Sequence, residues 1–119
     1  MKVISIRQPW ATLVCGGAKT IENRTWQTSH RGLLAIHTGA FQKASDQLVP
    51  PELRGSLYFG GIIGTVELRE IVEREDISDN PWAEGPLCFV FENPKLFRTP
   101  FAHKGRVSIS TLPDEIADR

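Results

Sequence analysis

The apolar residues of this chain fall in short runs rich in branched side chains, most of them bounded by glycine or proline. They are Val3–Ile6, Leu33–His37 between Gly32 and Gly39, Ile62–Val72, and Leu87–Phe91. Short branched runs bounded by turn residues form strands rather than helices. Leu87–Phe91 is apolar at every position, the pattern of a strand covered on both faces. Val107–Ser110 reads as a last strand, with Pro94 and Pro100 bracketing the connection that leads to it. There is no repeat, heptad pattern or low-complexity tract. Short strands without long helices leave a curled sheet or small barrel as the economical way to enclose a core.

Helical signals are confined to the first half. Pro9 suits a first helical turn, where its missing N–H costs nothing. Trp10, Leu13 and Val14 follow at i, i+3 and i+4, and Gly16-Gly17 supplies a stop. Ala40–Leu48 is a second candidate, ended by Pro50-Pro51. The expected class is α+β. At 119 residues the expectation is one domain spanning 1–119, large enough to fold without staples. Cys15 and Cys88 sit in apolar surroundings without CxxC spacing and read as buried thiols. No apolar run approaches the ~20 residues that cross a bilayer. Met1–Arg7 lacks the apolar core of a signal peptide, so a cytoplasmic protein with no membrane association is expected.

The formal net charge is zero, 14 basic against 14 acidic residues, which argues against a polycation that coats nucleic acid. The zero is a sum of blocks. Residues 1–60 hold seven Lys/Arg and three Asp/Glu, giving +4, and residues 93–106 hold Lys95, Arg98, Lys104 and Arg106 with no acid, giving +4 again. Residues 61–92 give −6 and residues 107–119 give −2. If the two basic blocks meet in space, one face attracts phosphate.

The densest polar cluster runs from Gly17 to Trp26. Strand alternation places Thr20, Glu22, Arg24 and Trp26 on one side and Ile21 on the other. Gly17 permits a sharp turn and close approach to a ligand. Lys19 offers a point charge and Arg24 a planar fork suited to phosphate or a base edge. Glu22 can orient these cations. Trp26 can stack on a base, an interaction worth roughly 1–3 kcal/mol.

Gly17, Lys19, Glu22 and Arg24 match the GxKxxExR signature of the ASCH superfamily, which this chain resembles along nearly its whole length. Ile4-Ser5-Ile6-Arg7-Gln8-Pro9-Trp10 resembles the opening strand and QPW turn of that family. Gly32–His37 and Gly64–Leu68 resemble later strands, and Pro86–Phe91 with Lys104-Gly105 resembles the closing hairpin. The resemblance implies a PUA-like fold, a small β-barrel of five to six strands with two or three flanking helices. It also implies a cleft lined by the GxKxxExR segment, and single-stranded RNA or a modified nucleoside or nucleotide as ligand. The implied binding residues are Gly17, Lys19, Glu22, Arg24 and Trp26, with Arg7 and His37 beside them. No cofactor is implied.

The same resemblance holds an alternative. Some small ASCH proteins are amidohydrolases acting on N4-acetylcytidine, and others are nucleases. In an enzyme of this kind Lys19, Glu22 and Glu67 would be the catalytic groups. That hydrolase subgroup has threonine three residues after the lysine, where this chain has Glu22, so its nucleophile does not carry over.

Trp10 belongs to the core by its helical spacing, and Trp82, in an acidic loop, reads as a lid or a surface plug. His30, His37 and His103 have no metal-ligand spacing, so no metal site is expected. His37 ends a strand, where it either lines the cleft or serves as a hydrogen-bonded structural histidine. Leu57, Tyr58 and Phe59 belong either to the core or to an interface, which leaves a protein partner or a dimer open.

Overall fold

A computed structural model describes residues 1–104 and 110–111. The four branched runs form strands as expected, β1 (Lys2–Ser5), β3 (Gly32–Thr38), β4 (Gly61–Glu73) and β5 (Leu87–Ala102), joined by β2 (Ile21–Arg24) from the alternating polar cluster and by β6 (Ser110–Thr111). They make one six-stranded sheet in the order β2-β5-β4-β3-β1-β6, with β1 and β3 parallel and the other pairs antiparallel. The short helix α1 (Trp10–Cys15) packs on the sheet, and α2 (Lys43–Asp46) lies in the long connection from β3 to β4. A curled sheet with flanking helices is the PUA-like architecture.

The curl has a local cause. β4 and β5 are 13 and 16 residues long, and their pairing slips between Ile62 and Gly64, between Thr65 and Glu67, and between Leu68 and Glu70. Each slip is a bulge that bends the pair and increases its twist. Gly64 lets the strands close: a Cβ there would fall 2.9 Å from Cys15 Sγ and collide with the Lys95 carbonyl.

The bulges also correct the expectation that Pro94 and Pro100 bracket a connection. β5 runs through both. The partners of β4 step from Glu92 to Lys95 and from Leu96 to Phe101, so each proline stands where the ladder skips. A residue without an N–H loses no ladder bond there. Asn93, with φ of 50°, supplies the left-handed step before Pro94. The second helix is also shorter than expected, four residues in place of Ala40–Leu48. Of the last expected strand, Val107–Ser110, the first three residues lie outside the described region, and pairing is seen at Ser110–Thr111.

Alternation along β1 and β3 sorts the core. Ile4, Ile6, Leu34 and Ile36 pack against Val14 of α1, together with Ile63, Val66, Leu68 and Phe89. Val3 and Ala35 face the other way, onto Ile62 and Phe97. Fully burying each large member contributes about 1.5–3 kcal/mol. Cys15 and Cys88 are free and buried, and burial pushes the Cys15 thiol up to about 12. Among the described residues no helix is long and apolar enough to cross a membrane.

Candidate functional site

The QPW turn is built around Gln8, which is buried. Its Oε1 accepts from Thr12 N at 3.0 Å and Thr12 Oγ1 at 2.9 Å, capping α1, and its Nε2 donates to the Tyr58 carbonyl at 3.1 Å. Every polar atom of the amide is thus partnered, which fixes the start of α1 against the β3–β4 connection. At its other end α1 stops at Gly16. Gly17 takes the left-handed conformation (φ 88°) with Pro94 Cγ 3.3 Å from where its Cβ would be, so the turn has little room for a side chain. Lys19 N then bonds to the Leu13 carbonyl at 3.0 Å, and the chain enters β2 along β5.

This path gathers Lys19, Glu22 and Arg24. Lys19 is only 5% exposed, and its Nζ donates to the Ile21 carbonyl and to Glu22 Oε1 at 3.2 Å. Arg24 Nη2 pairs with Glu22 Oε2 at 2.9 Å and also donates to the Ser5 carbonyl. One carboxylate therefore spans two cations, and Arg24 ties β2 to β1 across the mouth of the sheet. Arg24 Nε is buried with no hydrogen-bond partner among the described residues.

Two cavities open on either side of Glu22. The larger, about 620 Å³, is lined by Ser5, Arg7, Gln8, Arg24 and Phe59 together with the 39–45 segment. Arg7 is exposed on it and makes no ion pair with a described residue. The smaller, about 270 Å³, is lined by Trp10, Lys19, Glu22, Asn23, Trp82 and Glu84. Lys19 Nζ stands 5.8 Å from the centre of the Trp82 ring.

The structure thus joins four of the residues singled out from sequence: Arg7, Lys19, Glu22 and Arg24. Gly17 and Trp26 line neither cavity. Gly17 shapes the turn, and Trp26 lies edge-on to Phe89 at 5.1 Å, with the Arg24 guanidinium 5.9 Å from its ring centre. Glu67 is not brought to Lys19. It accepts a hydrogen bond from Asn93 Nδ2 on the β4–β5 pair and lines neither cavity. His37 is the hydrogen-bonded histidine: its Nε2 donates to the His103 carbonyl at 2.7 Å, which leaves Nδ1 to accept from the Ser5 hydroxyl at 2.9 Å. Burial holds its pKa below the usual histidine value. It lines a third cavity, of about 470 Å³, with His103 and Lys104; Gly39 and Ala40 are shared with the larger one. Of the second basic block, then, Lys104 approaches the site.

Trp10, half-buried, both packs on the core and lines the smaller cavity. Sequence reasoning missed Asn23, whose side chain bonds the loop carrying Trp82, and Gln8, whose burial no local pattern announced. It also missed Phe41, exposed and lying edge-on at 5.1 Å to Phe59 on the cavity wall.

The curled sheet, its helices and a cleft at the end of β1 and β2 define a PUA-like domain. A family model of the ASCH domain matches residues 4–101, and the chain belongs to that family, a PUA-like fold family associated with RNA binding. The chain is 30% identical over 133 residues to human activating signal cointegrator 1, and 28% identical over 132 residues to the mouse protein. Each match covers 95% of this chain but 22% of the relative, so the chain spans about a fifth of their length. Among solved structures it resembles the ASCH protein of Zymomonas mobilis, with a TM-score of 0.62 at 16% identity over 98% of this chain and 90% of that one. A tyrosine-to-phenylalanine mutant of that protein gives a TM-score of 0.63 at 16% identity, covering 98% and 93%. At that identity the likeness concerns the fold.

Proposed function

We propose that the larger cavity binds single-stranded RNA, or a nucleotide of it, through phosphate contacts from Arg7 and Arg24. The observation that carries this reading is the shared carboxylate of Glu22. It holds Arg24 at a fixed place on the wall while Arg7 stays exposed beside it. Lys19, Arg24 and Arg7 against Glu22 leave a local charge of +2 in a protein whose total is zero. That suits a short segment held at one point rather than a long polyanion wrapped around the surface. Phe59 lines the cavity and the exposed Phe41 lies edge-on to it, so aromatic rings stand at and beside the cavity, and stacking needs bases that are not already paired.

Hydrolysis fits the geometry less well. Lys19 Nζ is committed to the Ile21 carbonyl and to Glu22, no hydroxyl side chain bonds to it among the described residues, and Glu67 lies elsewhere. A lysine activating a hydroxyl nucleophile needs that hydroxyl within hydrogen-bond reach.

The test is the affinity for a labelled single-stranded RNA octamer across a salt series. Log affinity should fall against log salt with a slope of roughly −0.7 per phosphate neutralised. Binding that ignores salt, or no binding, would overturn the reading.

A further inference from the structure

The smaller cavity shares Glu22 with the larger one but has different walls and a second carboxylate, Glu84. Two of its six lining residues are tryptophans, Trp10 from α1 and Trp82 from the loop between β4 and β5. That loop is held without any ligand. Asn23 Nδ2 donates to the Trp82 carbonyl at 2.9 Å, and Asn23 Oδ1 accepts from Glu84 N and Gly85 N, both at 2.9 Å. Trp82 N is in turn bonded to Asn80 Oδ1 at 2.9 Å. A side chain on β2 thus anchors residues about sixty positions away, and this brings the indole over Lys19.

We propose that this cavity is a base-reading slot that takes guanine, from the same strand whose phosphates the larger cavity holds; it rests on the nucleic-acid reading above. The donors and acceptors left free in the cavity favour that base. Both lone pairs of Asn23 Oδ1 are used by the loop. The Lys19 ammonium, almost fully buried, is turned toward Ile21 and Glu22. What remains for a ligand are carboxylate acceptors, beside a third Lys19 N–H, the second Nδ2 hydrogen of Asn23 and the indole N–H groups, which the neighbouring O6 of guanine can use. Each Glu22 oxygen carries one bond and has room for another, and Glu84 makes no ion pair with a described residue. The complement of two carboxylates is an edge with adjacent donors. Guanine presents one, in N1–H and the N2 amine. Adenine and cytosine each set an acceptor beside their amine, and uracil has a single N–H between two carbonyls. At about 270 Å³ the slot has space for a purine, and the indoles supply apolar walls. Because Glu22 forms part of both cavities, a base in the slot leaves its own phosphate near Arg24.

The test uses the whole chain and labelled hexamers of uridine in which one central residue is guanosine, inosine, adenosine or cytidine, followed by fluorescence anisotropy. Inosine differs from guanosine by the N2 amine alone. Guanosine should bind tightest, with inosine about tenfold weaker. Trp82→Ala and Glu84→Gln should each bring guanosine down to the inosine level while all-uridine binding persists. Glu84 is exposed, so its variant reads the slot even if the loss of Trp82 disturbs the fold. Equal binding of guanosine and inosine by the unaltered protein, or a guanosine preference that survives Glu84→Gln, would overturn the slot and leave the cleft reading standing. Failure of every hexamer to bind would overturn the cleft reading and the slot with it.

Discussion

Arg24 Nη2 and Glu22 Oε2 are 2.9 Å apart, and the other oxygen of that carboxylate is 3.2 Å from Lys19 Nζ. The relationship makes one carboxylate the keystone of the site, because removing it leaves two cations in a region where the three side chains are 5–19% exposed. Glu22→Ala should therefore destabilise the protein by about 3 kcal/mol, toward the lower end for broken buried pairs because Glu22 keeps some contact with water. Urea unfolding checks this. Adding Lys19→Met to that variant should recover part of the loss, since it replaces a stranded charge by an apolar chain of similar length.

Arg7 carries no structural duty that would confuse its test. Arg7→Ala should leave stability within about 0.5 kcal/mol, weaken single-stranded RNA binding, and make the salt slope shallower by the share of one phosphate, roughly 0.7. A binding isotherm at two salt concentrations, beside a thermal melt, separates the two effects.

Phe41 is 63% exposed and touches the cavity wall through Phe59. Phe41→Ala should cost binding roughly 1–3 kcal/mol if a base stacks there, with little change in melting temperature. Trp26→Ala should do the reverse and cost several kcal/mol of stability, because its ring packs on Phe89.

His37 sets a pH dependence. Burial lowers its folded pKa below the ordinary value of 6.5, so the unfolded chain binds the extra proton first as the solution is acidified. Its contribution to stability is fully present above about pH 6.5 and is lost as pH falls from there toward the folded pKa. Urea midpoints measured between pH 7.5 and pH 5 should decline, and His37→Asn should flatten that decline while lowering the value at neutral pH.

Glu67 bonds to Asn93, away from both cavities that share Glu22. Glu67→Gln should change RNA affinity by less than about twofold, which the anisotropy assay reads directly. N4-acetylcytidine incubated with the protein should be recovered intact by chromatography; release of cytidine that Lys19→Ala abolishes would restore the hydrolase alternative.

What could be read from sequence was what local spacing controls. The short branched runs marked the strands, and i, i+3, i+4 spacing marked α1. Strand alternation put Glu22 and Arg24 on one side of β2, and Lys19, just before the strand, reaches Glu22 as a near neighbour in sequence. Misreadings came where a distant partner decides. Pro94 and Pro100 look like strand ends until β5 is seen to bulge at both of them against β4. Trp26 looks available until Phe89, brought near by the pairing of β2 with β5, packs against its ring in a T-shaped contact. Trp82 looks like part of an acidic loop until Asn23 draws that loop across the site. Each depends on cross-strand pairing between segments tens of residues apart, which no local window contains.

In the proposed complex the RNA lies between Arg7 and Arg24, a place as well as an activity. Backbone amide shifts of isotope-labelled protein, titrated with a short single-stranded RNA, test it most directly. Shifts should concentrate at Arg7, Gln8, Glu22, Arg24 and residues 39–45. Shifts confined to Lys95 and Arg98 on β5, or none at saturating RNA, would contradict it.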